Sequence, residues 1–515
     1  MSEDLDYSRK RIVKNMIFSV IAFVLNTLIS FFITPYITSQ FGSEAYGFIK
    51  LSTDFTSYAA LVTLALNSMS SRFIMLERER NNIRIANEYY SSLMLANVVL
   101  TLFMGIVSVV VVFNLEKIVS IPDGMTIEVK IVFAITFLSF LISLITSIYG
   151  NCFYLSNRLD LSSIRTAEST IIRVIVIIGL FLLLEPKISY VALGSLVSTV
   201  YLCICNFIHS KNLLPDLEIK RNYFKLERIK ELLSAGIWNS ITKLSQIFSS
   251  GLDLLMTNIM ISSQMMGYLS IAKTVPTLVA SFNSTIANVF SPNLMMLYAK
   301  DDIEGLKKAT KTAMKFMCLF VSIPNAILIT MGKEFFDLWI PSQPSQMINI
   351  LSVLTIINSA VTGPTQPLYQ IFTITNKIKQ SSIVMIVYGF ASVLITYLCL
   401  QITDFGVYIV AGVSLIGSLI VGLFYHIPYA AKYIGLSKKT FFPEIGISLI
   451  SMSILCGVGL LINYFMELNA SWFMWFAGAC ATGVIGLLIN IMLILNKEER
   501  TSLLNRIFRG VWRKG

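Results

Sequence analysis

Residues 92–114 read SLMLANVVLTLFMGIVSVVVVFN, a run of apolar and small polar residues that contains no charged side chain. An α-helix needs about 20 mostly apolar residues to cross the hydrocarbon core of a bilayer. The segment meets that requirement, and similar runs recur from one end of the chain to the other. The run predicts one transmembrane helix, and its recurrence predicts a polytopic membrane protein.

The composition excludes a large soluble protein. Of the 515 residues, 55% are hydrophobic and only 13% are charged, about half the charged share of roughly 25% in soluble domains. The longest polar connection, residues 209–234, is too short to form a domain. We therefore predict an all-α polytopic membrane protein with about 14 transmembrane helices. The predicted spans are 15–37, 47–70, 92–114, 130–152, 168–185, 189–208, 234–260, 267–290, 313–331, 346–370, 382–401, 407–427, 442–465 and 472–495.

The distribution of basic residues predicts the orientation. Lys and Arg accumulate in the cytoplasmic loops of membrane proteins. With the N-terminus inside, the inner loops and tails hold 31 of the 40 basic residues, and the outer loops hold only Lys117, Lys187 and Lys333. Both termini are therefore predicted to be cytoplasmic. The net charge of +11 needs no nucleic-acid partner, because the basic residues lie in short segments between apolar runs.

Matching polar positions indicate an internal repeat with an offset of 220 residues. The alternative is coincidence among serine-rich helices, which commonly pack through small polar residues. The matching positions are Ser19, Asn26, Ser30 and Gly47 in the first copy and Asn239, Gln246, Ser250 and Gly267 in the second.

The repeat predicts the organisation of the chain. Six spans per copy make both halves enter the membrane in the same direction, which is a parallel repeat of the kind found in alternating-access transporters. The sequence Pro364-Thr365-Gln366-Pro367 predicts a break in the tenth helix. The predicted parts are an N-terminal six-helix half at 1–210, a cytoplasmic linker at 211–233, a C-terminal six-helix half at 234–430, and two extra transmembrane helices with a basic cytoplasmic tail at 431–515.

Charged residues inside the predicted spans are the main candidates for function, since such residues usually face a cavity or a partner. Lys243 lies near the midplane of the seventh span, on a stripe with Asn239, Gln246, Ser250 and Asp253. Pairing of Lys243 with a carboxylate and compensation of substrate charge are both open. Arg173 is predicted to lie about five residues from the inner end of its span. The candidate substrate-binding residues are Lys243, Arg173, Lys273, Asn239, Gln246, Asp253 and Asp54.

Several activities are disfavoured by what the sequence lacks. It contains no G-x-x-x-x-G-K-[ST] loop for nucleotide phosphates, and Gly435-Leu-Ser-Lys-Lys-Thr440 is only superficially similar to one. The two histidines and seven cysteines do not follow the spacing of zinc ligands. We therefore expect no catalytic residue, no metal site and no cofactor. A coupling ion, Na⁺ or H⁺, stays open.

Residues 41–51, FGSEAYGFIKL, and Ser71-Arg72-Phe73 resemble segments of the polysaccharide branch of the multidrug/oligosaccharidyl-lipid/polysaccharide exporter superfamily. The number of spans is similar as well, so the resemblance covers essentially the whole chain. Lipid II flippases carry several arginines in and around the first span, whereas this chain has none between Lys14 and Arg72. Proton-coupled multidrug exporters typically carry an acidic residue in the first span, whereas residues 15–37 contain none.

The resemblance implies a flippase in the bacterial cytoplasmic membrane that is not an enzyme. Its substrate would be an oligosaccharide on undecaprenyl pyrophosphate, moved from the inner to the outer leaflet by alternating access. Membrane lipids, a polysaccharide polymerase and assembly proteins would be its partners. The first alternative is an ion-coupled multidrug exporter with an acidic switch. The second is a membrane-embedded glycosyltransferase or polymerase, which the short outer loops disfavour.

Overall fold

A computed structural model describes residues 2–156, 158–375, 377–466, 468, 471–497 and 499–500, without the side chains of residues 2–17, 19, 20, 22, 23 and 292. These residues form helices and connections, and none of them lies in a strand. The all-α prediction is confirmed. The predicted basic tail at 501–515 and the side chains of the basic N-terminal residues lie outside the described part.

The chain divides into two compact units, residues 1–267 and 268–515. The first unit contains the predicted first half, the linker and the seventh span. A π-helical turn, Ile247–Gly251, joins α8 (Leu226–Gln246) to α9 (Asp253–Met260), and a short 3₁₀ turn, Arg221–Tyr223, lies in the linker. The helices of the first unit are α1 (Ser2–Asn67), α2 (Ser70–Glu79), α3 (Ile83–Phe113), α4 (Leu115–Ile118), α5 (Thr126–Leu155), α6 (Leu159–Leu183), α7 (Ser189–Leu213), α8 (Leu226–Gln246), α9 (Asp253–Met260) and the start of α10 (Ser263–Ala272).

The second unit contains the remaining spans. The tenth span is broken on both sides of α14 (Ser359–Thr362), so the predicted break at Pro364 is confirmed. A second π-helical turn, Gly422–His426, lies between α17 (Val407–Val421) and α18 (Ile427–Tyr433). The helices of the second unit are α11 (Thr274–Ala299), α12 (Ile303–Trp339), α13 (Ser345–Ile356), α14 (Ser359–Thr362), α15 (Gln366–Ile374), α16 (Ile378–Ile402), α17 (Val407–Val421), α18 (Ile427–Tyr433), α19 (Phe442–Phe465) and α20 (Trp472–Ile494).

The helices account for fourteen spans. Among the described residues, eleven helical stretches are long and apolar enough to cross a membrane. The first of them contains two legs of α1, which meet at Gly42, where φ is 83°. The α8–α9 and α10–α11 helices are more polar and supply two more spans. The positive φ at Gly42 is readily adopted only by glycine, and it separates the first predicted span from the second.

Two glycines at equivalent positions of the predicted repeat contact each other. A β-carbon on Gly47 would lie 3.1 Å from the α-carbon of Gly267, and one on Gly267 would lie 2.5 Å from the carbonyl oxygen of Ser43. Ser263 donates a hydrogen bond to Glu44 beside them, at 3.1 Å. Residues related by a two-fold axis touch their own equivalents only near that axis. The contact is the arrangement that a parallel repeat would give, and the repeat boundaries themselves stay a prediction.

The linker before α8 is bound to the first turns of α3. Asn87 accepts a hydrogen bond from the Glu218 amide (2.6 Å) and donates one to the Asp216 carbonyl (3.1 Å). Arg78 binds the Asp216 carboxylate through two hydrogen bonds of 2.8 and 3.1 Å. The α-helix that follows the linker begins only at Leu226. The linker thereby fixes the start of the helix that carries the candidate residues.

An ion pair also fixes the first turn of α8 to α3. Arg228 lies 3.1 Å from Glu88 and 3.1 Å from Glu231. Burial opposes the charge of the Arg228 guanidinium, but the hydrogen bonds to Glu88 and Glu231 outweigh burial and raise its pKa. Arg228 therefore stays charged at any physiological pH, and this attachment of α8 is insensitive to pH in that range.

Candidate functional site

Asn239, Lys243 and Gln246 lie on one face of α8. Asn239 donates a hydrogen bond to the Ser68 hydroxyl at 3.0 Å, and the Gln246 side chain is exposed. Lys243 is half-buried and lies seventeen residues from both Leu226 and Met260, the ends of the α8–α9 helix. At 1.5 Å per residue, each end is about 25 Å away. Lys243 therefore lies at the middle of the α8–α9 helix, and its location near the midplane of the membrane stays a prediction.

α8 packs closely against the second leg of α1. A β-carbon on Gly236 would lie 1.8 Å from the Ala65 carbonyl oxygen. The Ser240 hydroxyl donates a hydrogen bond to the Leu61 carbonyl at 3.2 Å. Glycine and serine allow this approach because their side chains are small, which is typical of contacts between membrane helices. The contact holds the Lys243 face of α8 in a fixed rotation relative to α1.

The π-helical turn changes the predicted stripe. Its hydrogen bonds link residues i and i+5, so it contains one residue more than an α-helical turn. The α-helical spacing that places Asp253 on the face of Lys243 therefore does not continue past Gln246. Asp253 is buried, with 8% of its surface exposed, whereas Gln246 and Ser250 are exposed. The turn has no obvious sequence signal.

Tyr58 connects this turn to α1. Its hydroxyl donates a hydrogen bond of 2.5 Å to the carbonyl of Gly251, the last residue of the π-helical turn. The carboxylates of Asp54 and Asp253 both lie within electrostatic range of the same hydroxyl. The structure thus gathers two predicted residues around a tyrosine that the sequence analysis missed. The spacing Asp54-x-x-x-Tyr58, which places both on one helix face, could have identified it.

Lys243 and Arg173 differ from other basic residues in the spans. In the described part of the chain, the Lys243 ammonium group forms no hydrogen bond and no ion pair. Arg173 forms no ion pair with a described residue, and its Nε is buried without a hydrogen-bond partner. By contrast, Lys130 lies 2.7 Å from Glu116, and Lys315 lies 2.9 Å from Glu499. Two cations of the first unit are therefore uncompensated by the residues described.

Arg173 lies farther from the start of its helix than predicted. α6 begins at Leu159 rather than at residue 168, so Arg173 is fourteen residues from its start and ten from its end. The polar residues Arg165 and Glu168 hid this start from hydropathy. They lie 2.7 Å apart, and Tyr201 of α7 donates a hydrogen bond of 2.5 Å to Glu168. This half-buried polar group is a second feature that the sequence analysis missed.

Lys273 belongs to the second unit. It is half-buried at the junction of α10 and α11, where its carbonyl accepts a hydrogen bond of 2.7 Å from the Thr277 hydroxyl. Among the described residues, no group of three or more His, Cys, Asp or Glu side chains could hold a metal ion. In the first unit, Lys243 lies on α8 and Arg173 lies on α6, while Asp54 and Asp253 lie within electrostatic range of the Tyr58 hydroxyl. The structure therefore groups the two carboxylates around Tyr58 and places the two uncompensated cations on separate helices.

Comparison with known proteins agrees with this architecture. Residues 12–298 match the family model described as "Polysaccharide biosynthesis protein". The uncharacterized membrane protein EpsK of Bacillus subtilis is 26% identical over 491 residues, which cover 94% of this chain and 96% of EpsK.

Solved structures share the fold. The lipid II flippase MurJ, in an inward closed conformation, gives a TM-score of 0.66 at 16% identity, covering 92% of this chain and 98% of MurJ. An inward-facing multidrug resistance MATE transporter of the MOP superfamily gives a TM-score of 0.61 at 12% identity, covering 82% of this chain and 98% of that transporter. The predicted resemblance is confirmed, and the fold is that of membrane transporters rather than of enzymes. The chain belongs to the polysaccharide biosynthesis protein family.

Proposed function

We propose that the protein is a flippase of the bacterial cytoplasmic membrane. It moves an oligosaccharide linked to undecaprenyl pyrophosphate from the inner to the outer leaflet, by alternating access, for assembly of a cell-surface polysaccharide. The family match and the transporter fold support this proposal. MurJ, which has the same fold, is by its name a lipid II flippase.

The observation that carries the proposal is the uncompensated charge of Lys243. A lysine at the centre of a membrane helix costs roughly 2.5–3.5 kcal/mol on insertion scales. An ion pair would offset this cost, but the Lys243 ammonium group has none among the described residues. The diphosphate of a lipid-linked sugar carries the opposite charge. Compensation of that charge during transport gives Lys243 a reason to be retained.

Arg173 strengthens the argument because it shares these properties on a different helix. Its guanidinium presents several N–H donors in a plane, which suits two oxygens of one phosphate. Lys243 offers a compact point charge instead. Asn239 and Gln246 beside Lys243 supply the amide groups that hydrogen-bond to sugar hydroxyls. Lys273, in the second unit, is proposed as a further cationic contact.

The test is complementation of a flippase-deficient strain. Lys243→Gln should leave the amount of protein in the membrane unchanged and reduce polysaccharide export by at least about tenfold, the equivalent of 1.4 kcal/mol. Lys243→Arg should retain partial export, because it keeps the charge but changes its shape. Lys50→Gln is the matched control, since Lys50 lies near the membrane surface with its ammonium group over the Tyr46 ring.

Two outcomes would count against the proposal. Full export by a well-expressed Lys243→Gln variant would remove Lys243 from the site. A loss of the protein itself from the membrane would indicate that Lys243 has a structural role rather than a role in substrate binding.

The alternative, an ion-coupled multidrug exporter, is favoured by one observation. Asp54 and Asp253 both lie near the Tyr58 hydroxyl, where a carboxylate could bind and release a cation. In that case Asp253→Asn should abolish drug resistance conferred by overexpression, while Lys243→Gln should not. Unchanged drug susceptibility on overexpression of the natural protein would eliminate this alternative.

A further inference from the structure

Three tyrosines form a row at one end of the second unit. Tyr425, Tyr429 and Tyr433 follow each other at intervals of four residues, from the π-helical turn to the end of α18. Their ring centroids are 4.9 and 6.0 Å apart. All three side chains are half-buried, so each ring keeps an accessible part. Such a row offers apolar faces on which the C–H groups of sugar rings can pack.

Three lysines converge on this row. The ammonium groups of Lys432 and Lys438 lie 5.6 and 5.7 Å from the centre of the Tyr429 ring. The ammonium group of Lys377 lies 5.9 Å from the centre of the Tyr433 ring. The two segments that carry these residues, 371–380 and 425–443, contain five lysines and no Asp or Glu. These two segments therefore concentrate positive charge around the row of tyrosines.

The turn after α18 places Lys438 there. Gly435 has a φ of 76°, which reverses the chain and is unfavourable for other residues. The amide of Leu436 donates a hydrogen bond to the Ala431 carbonyl at 2.9 Å, and the amide of Thr440 donates one to the Ser437 carbonyl at 3.0 Å. The segment Gly435-Leu-Ser-Lys-Lys-Thr440, which resembles a phosphate-binding loop only superficially, thus brings a lysine back over α18.

The acidic residue that follows these lysines most closely along the chain does not neutralise their charge. The Glu444 carboxylate is buried, with 5% of the residue exposed, and lies 3.0 Å from the Lys311 ammonium group of α12. Lysines that only determine membrane orientation need no contact with aromatic rings. Their convergence on two neighbouring tyrosines places positive charge beside aromatic faces, a combination that suits a ligand with both an anionic and a sugar part.

We propose that this corner binds the glycosyl diphosphate head group of the lipid-linked substrate before transport. The corner consists of Tyr425, Tyr429, Tyr433, Lys377, Lys432 and Lys438, and the inference rests on the proposed function. A phosphate can contact Lys432 and Lys438 together, because both approach the same ring. The sugars lie along the tyrosines, near the exposed Gln380, which accepts a hydrogen bond from the Tyr433 hydroxyl. A phospholipid head group would use the lysines but not the tyrosines.

The experiment uses the full-length protein in nanodiscs of phosphatidylcholine. The probes are undecaprenyl diphosphate and the same lipid carrying one N-acetylglucosamine, with affinity measured by microscale thermophoresis. The double variant Lys432→Gln/Lys438→Gln should bind both probes about tenfold more weakly. Tyr429→Leu/Tyr433→Leu should weaken binding of the glycosylated probe only. The control, Lys117→Gln/Lys187→Gln, removes two exposed lysines of the outer loops and should change neither affinity.

Unchanged affinity in the Lys432→Gln/Lys438→Gln variant, with normal binding by the natural protein, would overturn the corner and leave the proposed function intact. Absence of binding by the natural protein would overturn both. Equal weakening of both probes by the tyrosine variant would refute recognition of the sugar. Complete displacement of the glycosylated probe by an equal amount of phosphatidylglycerol would assign the corner to ordinary anionic lipids and reject the proposal.

Discussion

At the scale of the residue, close packing explains which glycines cannot be replaced. At Gly236 a β-carbon would overlap the Ala65 carbonyl oxygen, whereas at Gly412 in α17 it would meet no heavy atom within 4 Å. The first glycine permits two membrane helices to approach, and the second only makes its helix more flexible in the unfolded state. The two positions therefore form a matched pair for a stability test.

Gly236→Ala should destabilise the protein by about 1–3 kcal/mol, because α8 must move away from α1 to relieve the overlap. Gly412→Ala should leave the stability unchanged or raise it by about 0.5–1 kcal/mol. The measurement is the unfolding temperature of the purified protein in detergent. Equal unfolding temperatures for the two variants would contradict the packing of α8 against α1.

At the scale of the element, the linker before α8 is a polar connection that side chains of α3 hold in place. A polar connection between two halves is ordinarily expected to be flexible. Here the Ser91 hydroxyl donates a hydrogen bond to the Glu218 carbonyl at 3.0 Å, and the Ser92 hydroxyl accepts one from the Lys225 amide at 2.8 Å. Together with Asn87, these side chains hold the linker along α3 and so stabilise the start of α8.

Asn87→Ala should release the linker, because it removes the hydrogen bonds to both Asp216 and Glu218. The exposed bonds after Lys220 and Arg221 should then be cut several-fold faster by trypsin. The cleavage rate of the purified protein provides the measurement. Asn114→Ala is the control, since Asn114 binds only the nearby Val110 carbonyl. Identical cleavage rates for the two variants would show that Asn87 does not restrain the linker.

At the scale of the whole molecule, hydropathy and loop charge predict the number of spans because both act over long segments. The sequence also indicates the roles of Gly42, Gly47 and Pro364, because glycine and proline act on the local backbone. Hydropathy and loop charge do not detect polar helix starts such as that of α6. Hydropathy and loop charge also miss the π-helical turn before Asp253, because one additional residue in a helical turn changes neither pattern. The candidate site is therefore predictable on α8 only as far as Gln246.

The predicted orientation requires a separate test. In a cysteine-free background, cysteines at Ser2 and at Gly515, which lies outside the described residues, should resist a membrane-impermeant maleimide in intact cells. A cysteine at Ser342, exposed between α12 and α13, should react. Lys and Arg are retained on the cytoplasmic side during insertion, which is the physical reason for this pattern. Labelling of either terminus would reverse the orientation.

The bonds between the linker and α3 also bear on the order in which the protein is made. Asn87 and its two linker partners are separated by 129 and 131 residues. At about 5–20 residues per second, the ribosome adds the linker about 7–26 s after Asn87. During that interval the nascent α3 must keep its polar end in water. Asn87 precedes the predicted span 92–114, so water can serve as its temporary partner, and the unfinished chain can wait without exposing unsatisfied groups to lipid.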